Sequence, residues 1–305
     1  MIPESANLNL KTVSSSLPFA TTQRLTALPL GNESLAETLW FLALRPLHTV
    51  VMVGLIIDNG LVSELNRGTF YGYRNDTGAL EGVALIGHTT LVEVRSDAAL
   101  SAFARVAQGF GRAHVIVGEQ EQLTRFWNYY STEGQPLRRL CRESLWELNR
   151  IPPKPAGVHN LTLATAKDLS LVVPVHAAMA LDESGVDPLR VDPDGFRERC
   201  LRRIEQGRVW LATEDDRLIF KADVISDTPD VIYLEGIYVR SENRGQGFGS
   251  RCLAELSRHL LSRTKSITVL VNNERPRARG FFQKLGFAPR AVYDTIYLRM
   301  QRDLS

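Results

Sequence analysis

Three alternating glycines lie where an apolar, β-rich segment gives way to an amphipathic one. Residues 231–256 read VIYLEGIYVRSENRGQGFGSRCLAEL, with Gly245, Gly247 and Gly249 between the two segments. Because glycine has no Cβ, consecutive backbone N–H groups at these positions can converge on an anion at the positive end of the following helix. The pattern predicts a phosphate-binding loop between a strand and a helix.

Two commoner nucleotide-binding loops are excluded by the residues that follow. A dinucleotide loop, G-x-G-x-x-G, needs a glycine at 250 or 252, where Ser250 and Cys252 stand, and no Gly-Lys-Ser/Thr of a P-loop is present. The local charge fits an anionic ligand, since residues 240–290 hold eleven Lys or Arg and three Glu in a chain of net charge +2. Solvated helix faces also carry such charges, so this bias only corroborates the loop.

The loop must be positioned by a strand before it and a helix after it. Around them we predict helices at 167–181 and 194–206, strands at 208–213, 218–225 and 231–239, a helix at 249–263, a strand at 266–271, a helix at 277–285 and a strand pair at 291–300. An antiparallel meander followed by β-α-β-α-β is typical of a mixed α/β sandwich.

The first half of the chain repeats this order in weaker form. Helices are predicted at 34–45, 46–59 and 98–107, and strands at 69–73, 80–87 and 90–94; residues 113–130, AHVIVGEQEQLTRFWNYY, then echo residues 266–287, SITVLVNNERPRARGFFQKLGF. The ordered set indicates an internal duplication. The corresponding loop, Arg95-Ser96-Asp97-Ala98, has no glycine, so the first copy has no obvious phosphate site.

The length of 305 residues favours two domains of ~150 residues each. We divide the chain into a loose leader at 1–22, a first domain at 23–150, a Pro-rich connector at 151–159 and a second domain at 160–305. A composition with 44% hydrophobic and 23% charged residues excludes disordered and fibrous classes. The balanced net charge argues against a nucleic-acid or membrane partner.

Cysteine spacing and hydropathy bear on compartment and metal content. Cys141, Cys200 and Cys252 are odd in number and far apart, so neither a disulfide framework nor a metal site is predicted. The longest apolar run, residues 49–57, is shorter than the ~20 residues of a membrane-spanning helix, and residues 1–11 do not resemble a signal peptide. We therefore expect a cytoplasmic protein.

The glycine loop and a later element together resemble the GNAT superfamily of N-acetyltransferases. The family fingerprint Gln/Arg-x-x-Gly-x-Gly/Ala is met by Arg244, Gly247 and Gly249, and the element A-x-x-x-[aromatic]-x-x-x-G-F by Ala278, Phe282, Gly286 and Phe287. The resemblance covers roughly residues 160–300. It implies an acyl-CoA N-acyltransferase fold, an α/β fold with a mixed sheet, in two tandem copies of which the first is degenerate.

The resemblance also implies acetyl-CoA as co-substrate, with no metal. By position, backbone groups of Ile237 and Val239 would meet the acetyl carbonyl and the pantetheine arm, and residues 244–250 would hold the pyrophosphate. The complete set of implied contacts is Ile237, Tyr238, Val239, Arg244, Gly245, Gln246, Gly247, Phe248, Gly249, Ser250, Asn272 and Phe282. A strand splayed from its neighbour offers free N–H and C=O groups to an amide chain, and the N–H of Ile237 would stabilise an oxyanion.

Three residues are candidates for the chemical step: Glu235, Ile237 and Tyr293. Glu235 lies two residues before Ile237, so strand alternation predicts both on one face, where Glu235 would deprotonate the amine directly or through water. Tyr233 is a weaker candidate, and a surface role for Glu235 remains open. Many family members have a tyrosine where Phe282 stands, so the thiolate would leave unprotonated or take a proton from Tyr238 or Tyr293.

The acceptor is expected to be a small-molecule or peptide amine, and its identity stays open. The segment 181–190 is predicted to roof its pocket, with Asp182, Glu183 and Asp187 suited to a cation. A homodimer is compatible with the sequence. The competing function is a non-catalytic acyl-CoA-binding module, in which Phe282 marks lost chemistry.

Overall fold

The computed structural model describes residues 26–154 and 161–299; the predicted leader at 1–22 and residues 155–159 of the connector lie outside them. In the first half, the strands are β1 Leu28–Pro29, β2 Gly68–Arg74, β3 Leu80–Gly87, β4 Thr89–Val94, β5 Val115–Glu119 and β6 Leu137–Leu148. Its α-helices are α1 Leu35–Ala43, α2 Pro46–Asn59, α3 Asp97–Gln108 and α4 Gln120–Tyr130.

The second half repeats this order. Its strands are β7 Thr162–Leu163, β8 Val209–Glu214, β9 Arg217–Asp227, β10 Val231–Val239, β11 Ser266–Asn272 and β12 Ala288–Leu298. Its α-helices are α5 Leu169–Ser184, α6 Pro188–Val191, α7 Pro193–Glu205, α8 Phe248–Leu260 and α9 Pro276–Lys284. The predicted duplication and the mixed α/β fold class are confirmed.

All twelve described strands form one sheet in the order β1-β2-β3-β4-β5-β12-β6-β11-β10-β9-β8-β7. The pairs β4/β5 and β10/β11 are parallel, and the other neighbours are antiparallel. Each parallel pair is joined through a helix, α3 or α8, as a parallel connection requires. The sheet therefore consists of two similar halves that meet at β12 and β6.

The two halves exchange their last strands. Strand β6, from the first half, pairs with β11, where Asn272 lies opposite Glu143; β12, from the second half, pairs with β5, where Tyr293 lies opposite Glu119. The two exchanged strands also pair with each other. Strand β6 was not predicted. The predicted strand pair at 291–300 is wrong, because β12 is a single strand with partners on both sides.

Helices cover both faces of the second half. On one face, Cys252, Leu253 and Leu256 of α8 are buried in a core with Ile232 and Leu234 of β10. On the other face, α2 of the first half supplies the cover.

Val50 of α2 packs with Val231 and Tyr233 of β10. A Cβ added to Gly54 would lie 2.6 Å from the Ser226 side chain, so α2 comes very close to β9. The first half thus forms part of the second half's core, and the candidate site lies where they meet.

Candidate active site

The glycine loop leads directly into helix α8. Gly245 and Gly247 have φ values of 78° and 72°, and Gly247 is the N-cap, without a side-chain cap, of the helix that begins at Phe248. Because the first N–H groups of a helix have no partner within it, the α8 N-terminus presents donors and a positive dipole to the loop. A Cβ at Gly245 would meet no atom within 4 Å, so the loop is open in front of these donors.

Two further contacts shape the loop. Arg244 Nε donates to the carbonyl oxygen of Val239 at 2.8 Å, which ties the loop to the end of β10. Gly249 serves packing, since a Cβ there would lie 2.5 Å from Val239 Cγ2. The geometry fits a pyrophosphate between Gly245, Gly247 and the first turn of α8, including Phe248 and Ser250.

Strand β10 separates from β11 next to this loop. Their parallel pairing ends at Leu234 and Val269, although both strands continue, and the register with β9 shifts between Glu235 and Tyr238. Gly236, at φ 59°, lies in this bulge. The backbone around Ile237 thus lies at a gap in the sheet, where an extended amide chain can add as a strand.

The bulge overturns the expected alternation. Ile237 packs against the core cluster that contains Leu234, whereas Glu235 Oε1 accepts a hydrogen bond from the Tyr233 hydroxyl at 2.7 Å. The expectation that Glu235 and Ile237 share one face of a regular strand is therefore wrong. Both residues nonetheless line the same cavity.

This main cavity of about 520 Å³ opens from the gap and extends between the two halves. Residues from both contribute to it. Among the sequence candidates it brings together Glu235, Ile237, Asn272, Phe282 and Tyr293. Tyr238, Val239 and residues 244–250 do not line this cavity and lie along β10 and the glycine loop beyond it.

Three carboxylates surround the gap: Glu143 of β6, Glu183 of α5 and Glu235 of β10. Although Glu183 is an exposed residue, the protein atoms around its carboxyl, and then the charges of Glu235 and Glu143, raise its pKa to about 7. Burial also raises the pKa of Glu143, which accepts a hydrogen bond from Thr295 Oγ1 at 2.5 Å. Arg139 and Arg275 line the same cavity, and the charge of Arg275 offsets part of that of Glu143 and Glu183. The three carboxylates together are nonetheless suited to hold a cation.

Of the segment predicted to roof the acceptor pocket, Glu183 lines the main cavity, while its neighbours have structural partners. Asp182 forms an ion pair with Arg275. Asp187 caps α6 by accepting from the Leu189 N–H at 3.0 Å. Of the three acidic residues proposed for the acceptor, only Glu183 lines the main cavity.

Tyr293 lies at the first-half side of the main cavity. Its hydroxyl is 2.9 Å from Nδ1 of His48, and burial raises the pKa of Tyr293 well above its usual range. Strand exchange explains this position, because β12 pairs with β5 and not with β11. Phe282 is buried in edge-on contact with Phe281 and Phe287.

The first half has an equivalent gap, which borders the main cavity and which a side chain bridges. The pairing of β4 with β5 ends at Leu91 and Val117. Beyond that point Arg45 bridges the two strands, with Nη1 3.2 Å from Glu93 Oε1 and Nη2 2.6 Å from Glu119 Oε2. The N-terminus of α3 is capped by Ser96, whose Oγ accepts from the Ala99 N–H at 3.3 Å.

Sequence reasoning missed Glu143, Arg45 and His48. Glu143 belongs to a strand that was not predicted, and Arg45 and His48 flank the start of a helix with no motif around them. The only available signal was the charged alternation in residues 137–148, LRRLCRESLWEL, which does not reveal the partner strands.

The sequence profile of the acetyltransferase (GNAT) domain matches residues 205–289, which include the gap, the glycine loop and α9. These residues of the second half therefore form a GNAT domain. The matched domain indicates an acyltransferase, and the first half repeats its fold without matching the profile. No curated protein matches the chain by sequence.

Solved structures share the fold at low sequence identity. A protein from Drosophila matches with a TM-score of 0.61 and 13% identity over 90% of this chain and 99% of its own. A GNAT-family acetyltransferase from Colwellia psychrerythraea matches with a TM-score of 0.56 and 12% identity over 90% of this chain and 99% of its own. A tandem GNAT protein from the clavulanic acid biosynthesis pathway matches with a TM-score of 0.55 and 15% identity over 89% of this chain and 98% of its own.

The described residues contain neither a cluster of metal-ligating side chains nor a helix that could span a membrane. Within 26–154 and 161–299, no group of three or more His, Cys, Asp or Glu side chains is arranged to hold a metal ion. In the same ranges no helix is long and apolar enough to cross a membrane.

Proposed function

We propose that this tandem GNAT protein transfers an acetyl group from acetyl-CoA directly to a cationic amine bound in the main cavity. The observation that carries the proposal is the continuity of three features: the glycine loop at α8, the gap beyond Leu234 and Val269, and the acidic end of the cavity. Together they would hold an anionic carrier, its amide arm and a protonated amine in line. Holding both reactants in this way removes much of the entropic barrier.

The carboxylates around the gap would bind the ammonium and take its proton. An amine of pKa ~10.4 is almost wholly protonated at neutral pH. The pair Glu183 and Glu235 faces it from two elements, and the Tyr233 hydroxyl orients Glu235. A group with a pKa of about 7, as Glu183 has, is suited to general base catalysis at neutral pH.

The Ile237 N–H would donate to the thioester oxygen as negative charge develops there. Attack of the amine nitrogen on the carbonyl carbon, followed by cleavage of the C–S bond, gives the amide and the thiolate. A thiol with pKa ~8.5 is able to leave without a proton donor, which is consistent with Phe282 at the position many members give to tyrosine.

Direct transfer is favoured over a thioester on the enzyme. Cys200 Sγ lies 3.7 Å from Nδ1 of His176, the arrangement that could activate a nucleophilic thiol. However, burial raises the pKa of Cys200, and burial together with Lys221 lowers the pKa of His176 to about 3. The thiol therefore stays protonated, and it does not line the main cavity.

The test is turnover with a panel of amines, read as release of free coenzyme A thiol. We expect thiol release that depends on the amine and is lost in Gly247→Val. The same panel separates the proposal from a non-catalytic acyl-CoA-binding module: saturable acetyl-CoA binding with no amine-dependent thiol release would favour the module.

A further inference from the structure

A second cavity of about 290 Å³ lies between the halves, beside the main cavity. His176 and Ala180, one turn apart on α5, line both cavities, so a single row of α5 separates them. Three carboxylates lie at one end of the main cavity, whereas the second cavity has one carboxylate, that of Asp192, among basic and imidazole side chains. Its polar lining includes Arg67, His88, His114, His176, Arg199 and Arg203.

The positively charged side chains around the second cavity outnumber the carboxylates that pair with them. Asp192 Oδ2 pairs with Arg199 Nη1 at 2.9 Å. Asp223 Oδ2 is shared between Lys221 at 2.6 Å and Arg203 at 3.5 Å.

Arg67 is the cation left over. Within the part of the chain that the structure describes, no carboxylate lies within 4 Å of its guanidinium, although the charge of Asp192 acts on it from farther away. Three arginines thus line this cavity together with one carboxylate, that of Asp192. The surrounding protein atoms, and then the charge of Arg199, lower the pKa of Arg67, and Asp192 partly opposes them.

The histidines respond to the same field. The rings of His88 and His114 stack at 5.1 Å with planes 7° apart. Burial lowers the pKa of His88 to about 3, with further contributions from Arg67, His114 and Arg199. A neutral imidazole still donates one hydrogen bond, so His88 is able to contact an anion at neutral pH without adding charge.

We propose that the second cavity is an oxyanion site that takes a carboxylate or a phosphate between Arg67 and Arg199, with His88 as a neutral donor. Guanidinium groups pair bidentately with both kinds of oxyanion, and an anion there would relieve the repulsion between the two arginines. Two sources of the oxyanion share this chemistry: an acid group on the acceptor in the main cavity, or a free anion. The site itself does not depend on the proposed function.

Inorganic phosphate is the probe, titrated by calorimetry into the full chain saturated with coenzyme A so that the glycine loop is filled. We expect saturable binding that weakens at least ~10-fold in Arg67→Gln, as loss of a charge-assisted contact predicts. Arg197→Gln, the same charge change at an exposed position of α7, should bind as the wild type does. No saturable binding, or equal binding by both variants, would overturn the proposal.

A readout on the unmodified protein covers the case in which Arg67→Gln fails to fold. Phosphate should shift the imidazole NMR signals of His88 and raise its pKa, because a bound anion favours the charged ring. Signals that stay unchanged up to high phosphate concentration would contradict the site.

Turnover then identifies the source of the oxyanion, using an amino acid and the amine that lacks its carboxylate. If the group belongs to the acceptor, phosphate competes with the amino acid, and Arg67→Gln raises its KM with little change in kcat. If phosphate binds without competing, the ligand is a free anion. Phosphate binding without any turnover would leave the oxyanion site standing and overturn only the proposed acetyl transfer.

Discussion

Glu143, Glu183 and Glu235 repel one another across the gap, so replacing one changes the protonation of the others. Glu235→Gln should lower kcat/KM ~100-fold, within the range of one proton-transfer group, without weakening acetyl-CoA binding. Glu183 has a pKa of about 7, so it becomes protonated as the pH falls through that value. Removing the negative charge of Glu235 lowers the pKa of Glu183. The acidic limb of the pH profile should therefore move to lower pH.

The pH dependence of kcat/KM checks this expectation, with Glu255→Gln on α8 as the matched control. That variant removes the same charge from a helix outside the main cavity and should leave the profile unchanged. An acidic limb that stays in place in Glu235→Gln would show that Glu183 is not the titrating group and that the proton goes elsewhere.

Arg45 compensates a buried carboxylate in the first half. Burial raises the pKa of Glu93, and Arg45 is its ion-pair partner. Arg45→Met should lower the free energy of unfolding by ~1–3 kcal/mol, since it leaves Glu93 buried and unpaired. Urea unfolding at neutral pH measures the change.

Arg74→Met is the comparison, because Arg74 pairs with Glu37 where both side chains are about two-fifths exposed. Exposed pairs contribute ~0–1 kcal/mol. Equal losses in the two variants would mean that the bridge across the first-half gap does not stabilise it more than a surface ion pair.

At the scale of elements, the entry into α8 determines whether the carrier binds. Gly247→Val places a β-branched side chain at φ 72° beside the helix N-terminus, and should abolish acetyl-CoA binding measured by calorimetry. Gly78→Val puts the same strain at φ 82° in the turn between β2 and β3. Gly78→Val should lower the free energy of unfolding by a comparable amount and leave the affinity for acetyl-CoA unchanged. If folded Gly247→Val bound acetyl-CoA as tightly as the wild type does, the glycine loop would not be the binding site.

The N-termini of α3 and α8 differ in ways that predict one acetyl-CoA per chain. The α3 terminus has its own cap, Ser96, and the negative Asp97 in its first turn, whereas α8 has a glycine as its N-cap and no acidic residue in its first turn. Arg45 also occupies the first-half gap. Calorimetry should give a stoichiometry of one; a value of two, or residual binding in Gly247→Val, would mean that the first half binds the carrier.

At the scale of the whole molecule, strand exchange makes the halves depend on each other. Without the first half, β11 loses β6, and β12 loses both β5 and β6. Because unpaired edges promote association, a fragment that begins near Ala156 should aggregate or dimerise.

A protease site inserted within 151–159 tests the exchange in the full chain. After cleavage the two pieces should elute together at the size of the intact protein and keep acetyl-CoA binding. Separation in native buffer would contradict the exchanged sheet. An uncleaved sample of the same variant controls for the insertion.

Local patterns determined much of the fold before any contact was known. Strands β3 and β10 and helix α2 have the predicted bounds, 80–87, 231–239 and 46–59, because alternation, proline and glycine act over a few residues. The glycine loop between β10 and α8 was also predicted from the sequence, because positive φ values and a helix start without a side-chain cap depend only on nearby residues.

Tertiary structure alone decided which strands are neighbours and which side chains meet. β6 was not predicted, and its position beside β11 brings Glu143 to the gap, while the position of β12 beside β5 takes Tyr293 away from β11. The bulge at Gly236 also reversed the expected face of Ile237. Strand pairing joins residues more than a hundred positions apart, and its free energy depends on the surfaces that pack together, which no short sequence window contains.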